Sequence, residues 1–229
     1  MSESNEGKAS DFVEIVDKDV FHGELAACQS KVSVRIELPI VLRKRYIIAM
    51  TKFNDIIYEI AADNFGLITS SEAREAGITN NELVQYAKRG RIERVGQGVY
   101  RLVKRIPEQN DPYALAIALV GADAYLYGEA VLGMLELCPT NPAYLYVATP
   151  RRVRRNLPDY IRLVRTPGKT AGTVYDGIPC QRVADAICSA RKSVMGGRLE
   201  EAAKKAMHEG YLLTDDAELI ARELGLDRI

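Results

Sequence analysis

The twelve residues RIERVGQGVYRL, 91–102, constrain the fold of this chain more than any other stretch. Ile92-Glu93-Arg94-Val95 and Val99-Tyr100-Arg101-Leu102 each alternate apolar with polar residues, the period of a half-buried strand. Gly96-Gln97-Gly98 between them suits a tight turn that needs a positive φ. The segment reads as a β-hairpin with Val95, Val99 and Leu102 serving a core and Arg94 and Arg101 directed outward. Such a hairpin either closes a small core or forms the wing of a DNA-binding domain, and its setting distinguishes the two.

Upstream, Phe53, Ile56, Ile57, Ile60 and Ala61 recur at i, i+3, i+4, i+7 and i+8, one apolar stripe of a helix over 53–64 that Gly66 ends. Gly66-Leu67-Ile68-Thr69 is long enough only for a small strand. Ser70 and Ser71 offer N-caps to a short helix Glu72–Ala76, stopped by Gly77. Thr79 caps a second helix over 80–89, with Glu82 three residues on as in a capping box, basic residues at its C-terminal end and Gly90 terminating it. Helix, strand, helix, turn, helix, hairpin is the order of a winged helix-turn-helix. In the last helix Leu83, Tyr86, Ala87 and Gly90 face inward and leave Asn81, Gln85 and Lys88 outward, with Asn80 at the helix start. Asn and Gln pair bidentately with adenine edges, and Lys reaches guanine or phosphate.

Charge is distributed to match. The 229 residues carry no formal net charge, which argues against a sequence-blind nucleic-acid binder, yet Thr79–Ile106 holds seven basic residues against two acidic ones. Arg89, Arg91, Arg94 and Arg101 are placed to hold phosphates, and Gln97 at the wing tip to reach a minor groove. Pro150–Lys169 holds seven basic residues against one, four of them in Arg151-Arg152-Val153-Arg154-Arg155. That run suits a solvated loop, a contact with nucleic-acid phosphates or a surface for an acidic partner. A helix-turn-helix also serves as a scaffold for protein contacts, so an adaptor without specific DNA binding is the alternative reading.

Beyond Pro107, PEQND reads as a linker. Asp111 is expected to cap a helix with Pro112 at its first position, and a buried helix is expected over Tyr125–Leu137. Strands follow at Ala143–Thr149 and Tyr160–Arg165, then a hairpin of Thr173–Tyr175 and Ile178–Cys180 around Asp176-Gly177, then helices at Val183–Lys192, Arg198–Glu209 and Asp215–Leu224. The fold class is therefore α+β: a winged helix-turn-helix over 50–106 and a mixed α+β C-terminal domain over 107–229. Residues 1–49 read as an appended arm, partly disordered, with strand-like alternation in Lys31–Ile40, or as an overlong start whose true beginning is Met50.

No catalytic set emerges. Thr166-Pro167-Gly168-Lys169-Thr170 contains GKT, but Leu163 stands where a phosphate loop needs its first glycine. His22 lies in the arm and His208 in a C-terminal helix, and Asp215-Asp216 suit a helix N-terminus. Cys28, Cys138, Cys180 and Cys188 form no CxxC pair, so reduced, partly buried thiols are expected and neither metal nor cofactor is. No run approaches the apolar length of a membrane span, and the polar, acidic start is unlike a signal peptide, so the expected compartment is the cytoplasm.

The stretch Phe53–Leu102, above all GLITSSEAREAGITNNELVQYAKRGRIERVGQGVYRL, resembles the N-terminal winged-helix domain of the AbiEi-family antitoxins, transcriptional regulators of type IV abortive-infection toxin-antitoxin systems. The Gly-Ile-Thr turn, the approach from Gly90 to Val95 and the ending Gly98-Val99-Tyr100-Arg101-Leu102 carry the likeness. More loosely, Asp176-Gly177-Ile178-Pro179 and Arg182-Val183-Ala184-Asp185-Ala186 are similar to that family's C-terminal domain, while Glu129-Ala130 replaces its usual Ser-Ala pair. The resemblance implies a repressor that binds inverted repeats in its own operator. It also implies an antitoxin that counters a nucleotidyltransferase-like toxin, direct contact not being required, with no enzyme activity. Some proteins sharing the domain continue into a restriction-type nuclease; this sequence shows no such segment.

Overall fold

The computed structural model of the chain describes residues 55–138, 144–168 and 171–225. The arm over 1–49, the strand-like Lys31–Ile40, Met50, Phe53, His22, Cys28 and Lys169 lie outside the described residues.

The first helix, α1, is described over 55–63 and turns Ile57 and Ala61 into a core. Strand β1 (Leu67–Thr69) leads directly into α2 (Ser70–Glu75), and a turn through Gly77 leads to α3 (Asn80–Lys88). The hairpin strands β2 (Ile92–Gly96) and β3 (Val99–Leu102) complete a three-stranded antiparallel sheet in the order β1-β3-β2. Ile68, Ala73, Ile78, Leu83, Tyr86, Ile92, Tyr100 and Leu102 close around Ile57 and Ala61 as one apolar cluster. Helix, strand, helix, turn, helix and hairpin thus follow in the expected order.

Two local expectations are corrected here. Neither Ser70 nor Ser71 caps α2; Thr69 does. Its Oγ1 accepts from the Glu72 N–H at 3.2 Å, and the Glu72 carboxylate accepts from the Thr69 N–H at 2.8 Å. Thr69-Ser-Ser-Glu72 is the same reciprocal capping box as Thr79-Asn-Asn-Glu82, with the cap doubling as the last residue of a strand. In the hairpin, the loop is only Gln97-Gly98. Gly98 carries the positive φ of 73°, while Gly96 belongs to the strand. Gly96 answers a different need: a Cβ there would lie 2.1 Å from Leu119 Cδ2.

The second part of the chain is built on α4 (Asp111–Val120), which is apolar all round and packs against both β1 and the larger sheet. Asp111 does not cap α4. Asn110 holds the N-cap position with no side-chain cap bond, because the Asp111 carboxylate is taken by Arg105 at 2.6 Å and by the Glu108 N–H at 3.1 Å. The remaining elements are β4 (Tyr125–Leu126), α5 (Glu129–Met134), β5 (Leu145–Thr149), β6 (Ile161–Arg165), β7 (Thr173–Tyr175), β8 (Ile178–Cys180), α6 (Val183–Ala190), α7 (Gly196–His208) and α8 (Thr214–Leu224). The strands form a mixed sheet in the order β6-β5-β4-β8-β7, and β7 and β8 meet around Asp176-Gly177 as expected.

The helix expected over Tyr125–Leu137 is split. Tyr125 and Leu126 form the central strand, paired antiparallel to β5 and parallel to β8. Gly128, at φ 54° and ψ −127°, breaks the chain direction before α5 begins. An unbroken apolar run fits a buried strand and a buried helix equally, so periodicity could not separate the two.

Leu67 and Val99 of the small sheet do not join the small cluster. They pack into the large core with Leu119, Leu126, Val131, Leu132, Val147, Ile178 and Ile187. Cys138 and Cys180 are buried and Cys188 half-buried, all as free thiols. Burial pushes the Cys180 thiol up to about 12.

Candidate nucleic-acid interface

Helix α3 owes its position to its inner face, where Leu83 and Tyr86 are buried in the small core. With those two inward, the helical period leaves Asn80, Asn81, Gln85 and Lys88 exposed on the other side. Val84 lies among them, 41% exposed. Val84 carries no polar signal in the sequence, although its register follows from Asn81 and Lys88; an exposed aliphatic there suits apolar contact with a thymine methyl. The capping box fixes the N-terminus of the helix: Thr79 Oγ1 accepts from the Glu82 N–H, and the Glu82 carboxylate accepts from the Thr79 N–H at 2.7 Å. The helix end that would enter a groove is therefore held rather than frayed.

Basic residues follow at once. Arg89 forms the C-cap and Arg91 stands exposed after Gly90. On the hairpin, Arg94 is exposed and its Nε donates to the Gly96 carbonyl at 3.2 Å, while Gln97 is exposed at the tip. Arg101 differs. It faces Glu93 across the strands and donates through Nε to the Glu93 carboxylate at 2.7 Å. Both side chains are nearly half exposed, and a pair so placed contributes at most about 1 kcal/mol, so phosphate can compete for the guanidinium. Of the hairpin residues assigned to the core, Val99 and Leu102 are buried and Val95 half-buried; Tyr100 is buried as well.

The second basic run is close by. Gln97 and all five residues 151–155 line one cavity of about 440 Å3. Arg151 is ion-paired with Asp123 at 2.6 Å, and Arg155 donates to the Leu119 carbonyl at 3.1 Å. Arg152 and Arg154 are exposed and have no hydrogen bond or ion pair among the described residues.

No three His, Cys, Asp or Glu side chains come together as a metal site among the described residues, and none of the described helices is long and apolar enough to cross a membrane.

Residues 55–103 match the family model described as transcriptional regulator, AbiEi antitoxin. This stretch is similar to the AbiEi antitoxin transcriptional regulators. The match begins in α1 and ends one residue past β3, so it takes in every element that carries the exposed α3 face and the hairpin. The family is regulatory rather than catalytic. No curated protein matches the chain. Among solved structures, the crystal structure of the RV2827C protein from Mycobacterium tuberculosis is similar over 76% of this chain and 71% of that one, at 14% identity and a TM-score of 0.43.

Proposed function

We propose that the protein is an operator-binding repressor of its own toxin-antitoxin operon and acts there as the antitoxin. The observation that carries this reading is the outer face of α3, where two asparagines, a glutamine, a lysine and one small aliphatic stand together on a capped helix. Arginines of the helix end and the hairpin flank that face. Asn81, Gln85 and Lys88 read base edges in the major groove, with Asn80 beside them at the helix start and Val84 against a methyl group, while Arg89, Arg91, Arg94 and Arg101 hold phosphates. Gln97 reaches from the wing tip to the adjacent minor groove. The operator carries inverted repeats, each taking one copy of the chain. The toxin it counters is a nucleotidyltransferase-like protein of the same operon, opposed without obligatory contact, in the cytoplasm.

Titration of fluorescent duplexes from upstream of the gene tests the reading. The intact protein should prefer the inverted-repeat duplex over scrambled DNA, and Gln85→Ala should relax preference at one base step by about 1–3 kcal/mol. Equal binding to operator and scrambled duplexes, erased by moderate salt, would leave the helix-turn-helix as a protein-interaction scaffold instead.

A further inference from the structure

The loop after β5 is charged, and it is also fixed in place. Thr149, buried at the end of β5, accepts from the Arg151 N–H through Oγ1 at 3.2 Å. Arg151 closes on Asp123, Val153 packs half-buried against the large core, and Arg155 is tied to the Leu119 carbonyl. The odd-numbered residues hold the loop, and the even-numbered Arg152 and Arg154 project from it. The anchor is shared with the wing: the same Leu119 that accepts from Arg155 lies against Gly96, and Gln97 lines a cavity with the loop.

We infer that Arg152 and Arg154 bind the phosphates of duplex DNA flanking the operator half-site, carrying the interface past the wing onto the C-terminal part of the chain. This rests on the operator reading above. Two cations on a loop held beside the wing tip meet a backbone that continues past the groove, and among the described residues neither has a protein partner to give up. Protein interfaces draw most of their energy from a few anchors, Trp, Tyr and Arg above all, fully desolvated in well-packed pockets. The apolar residues of this loop, Val153 and Leu157, are half-buried against the core, leaving charge without such a centre. The contact is with phosphates alone, so it adds affinity and salt dependence but no base preference.

The test compares the full chain with its Arg152→Ala/Arg154→Ala variant on two duplexes, one trimmed to the half-sites and one extended at both flanks. On the extended duplex the variant's slope of log affinity against log salt should be shallower by about 1.8, near 0.9 for each phosphate released. Between 50 and 200 mM salt the intact protein should therefore lose about twelvefold more affinity than the variant. On the trimmed duplex the two proteins should match, and base preference should be unchanged on both. Equal slopes on the extended duplex, with Asn81→Ala/Gln85→Ala still abolishing operator preference, would overturn the flank contact alone and leave the loop to an acidic partner. Operator preference unaltered by Asn81→Ala/Gln85→Ala would overturn the α3 reading and this extension with it.

Discussion

Gly96→Ala tests whether the wing is held to α4 by direct packing. A methyl group at this position lies 2.1 Å from Leu119 Cδ2, whereas carbon atoms in contact sit about 3.5–4.0 Å apart. Roughly 1.5 Å must be found. Leu119 Cγ is already at an ordinary 3.6 Å, so the clash falls on one terminal methyl and is relieved by turning the Leu119 side chain. That side chain is only 4% exposed and surrounded by the large core, so the turn pushes on its neighbours. Overpacking of this kind costs about 1–3 kcal/mol, offset by about 0.4–1 kcal/mol because alanine restricts the unfolded chain more than glycine does. At about 2–4 °C per kcal/mol for a chain of this size, a net loss of 1–2 kcal/mol lowers Tm by several degrees. The assay is thermal and denaturant unfolding of a double-mutant cycle with Leu119→Ala. Leu119→Ala alone opens a cavity and costs about 2–5 kcal/mol. In that background the methyl at 96 has space and fills part of the void, so Gly96→Ala should become neutral or stabilising, with an interaction energy of at least about 1 kcal/mol. Identical costs of Gly96→Ala in the two backgrounds would refute the contact.

Thr79→Ala removes the acceptor at the start of α3 and should cost about 1 kcal/mol in denaturant unfolding; on the operator reading, DNA affinity should fall further as that helix end frays. Cys180, with its thiol raised by burial to about 12, should resist alkylation at pH 9 in the folded protein, while the half-buried Cys188 reacts before it; mass spectrometry of labelled peptides reads the order. Because the folded thiol keeps its proton to higher pH than the unfolded one, whose ordinary value is 9.0, this group's contribution is fully present below pH 9 and lost as pH rises towards 12. Over that window the stability of Cys180→Ala should fall less steeply than that of the unaltered protein. Glu93→Gln frees the Arg101 guanidinium and should tighten DNA binding and steepen its salt dependence, by up to about one phosphate's worth of slope.

What was legible in the sequence followed local chemistry. Thr79-Asn-Asn-Glu82 announces a helix start, and Asp176-Gly177 announces a turn. The inward stripe of Leu83 and Tyr86 fixes which side chains of α3 meet solvent. The twin box Thr69-Ser-Ser-Glu72 was as explicit, but Thr69 also ends a β-strand, and two serines beside it are equally good caps by residue type. Tyr125-Leu126 became a central strand only because β5 and β8 lie on either side, a fact about partners distant in sequence. The Arg101–Glu93 pair was hidden by one residue. A regular two-residue hairpin from Gly96 and Val99 would set Arg94 opposite Arg101, but the register shifts at Val95, so Arg94 faces Tyr100 and Glu93 faces Arg101. The irregularity replaces a like-charge pair with an opposite one. Nor could spacing alone show that Arg151 and Arg155 are held to Asp123 and Leu119, since both partners come from the connection around α4.

Leu67 and Val99 bury not in the small cluster beneath their own sheet but among the side chains of the second half of the chain. The consequence is one of thermodynamic linkage. Melting the large core strips β1 and β3 of part of their cover, so the hairpin loses stability with it. A molecule that grips only the folded five-stranded sheet adds stability of RT ln(1 + [L]/Kd) to the hairpin as well. Where such a molecule and DNA are coupled, each alters the other's affinity by the same factor.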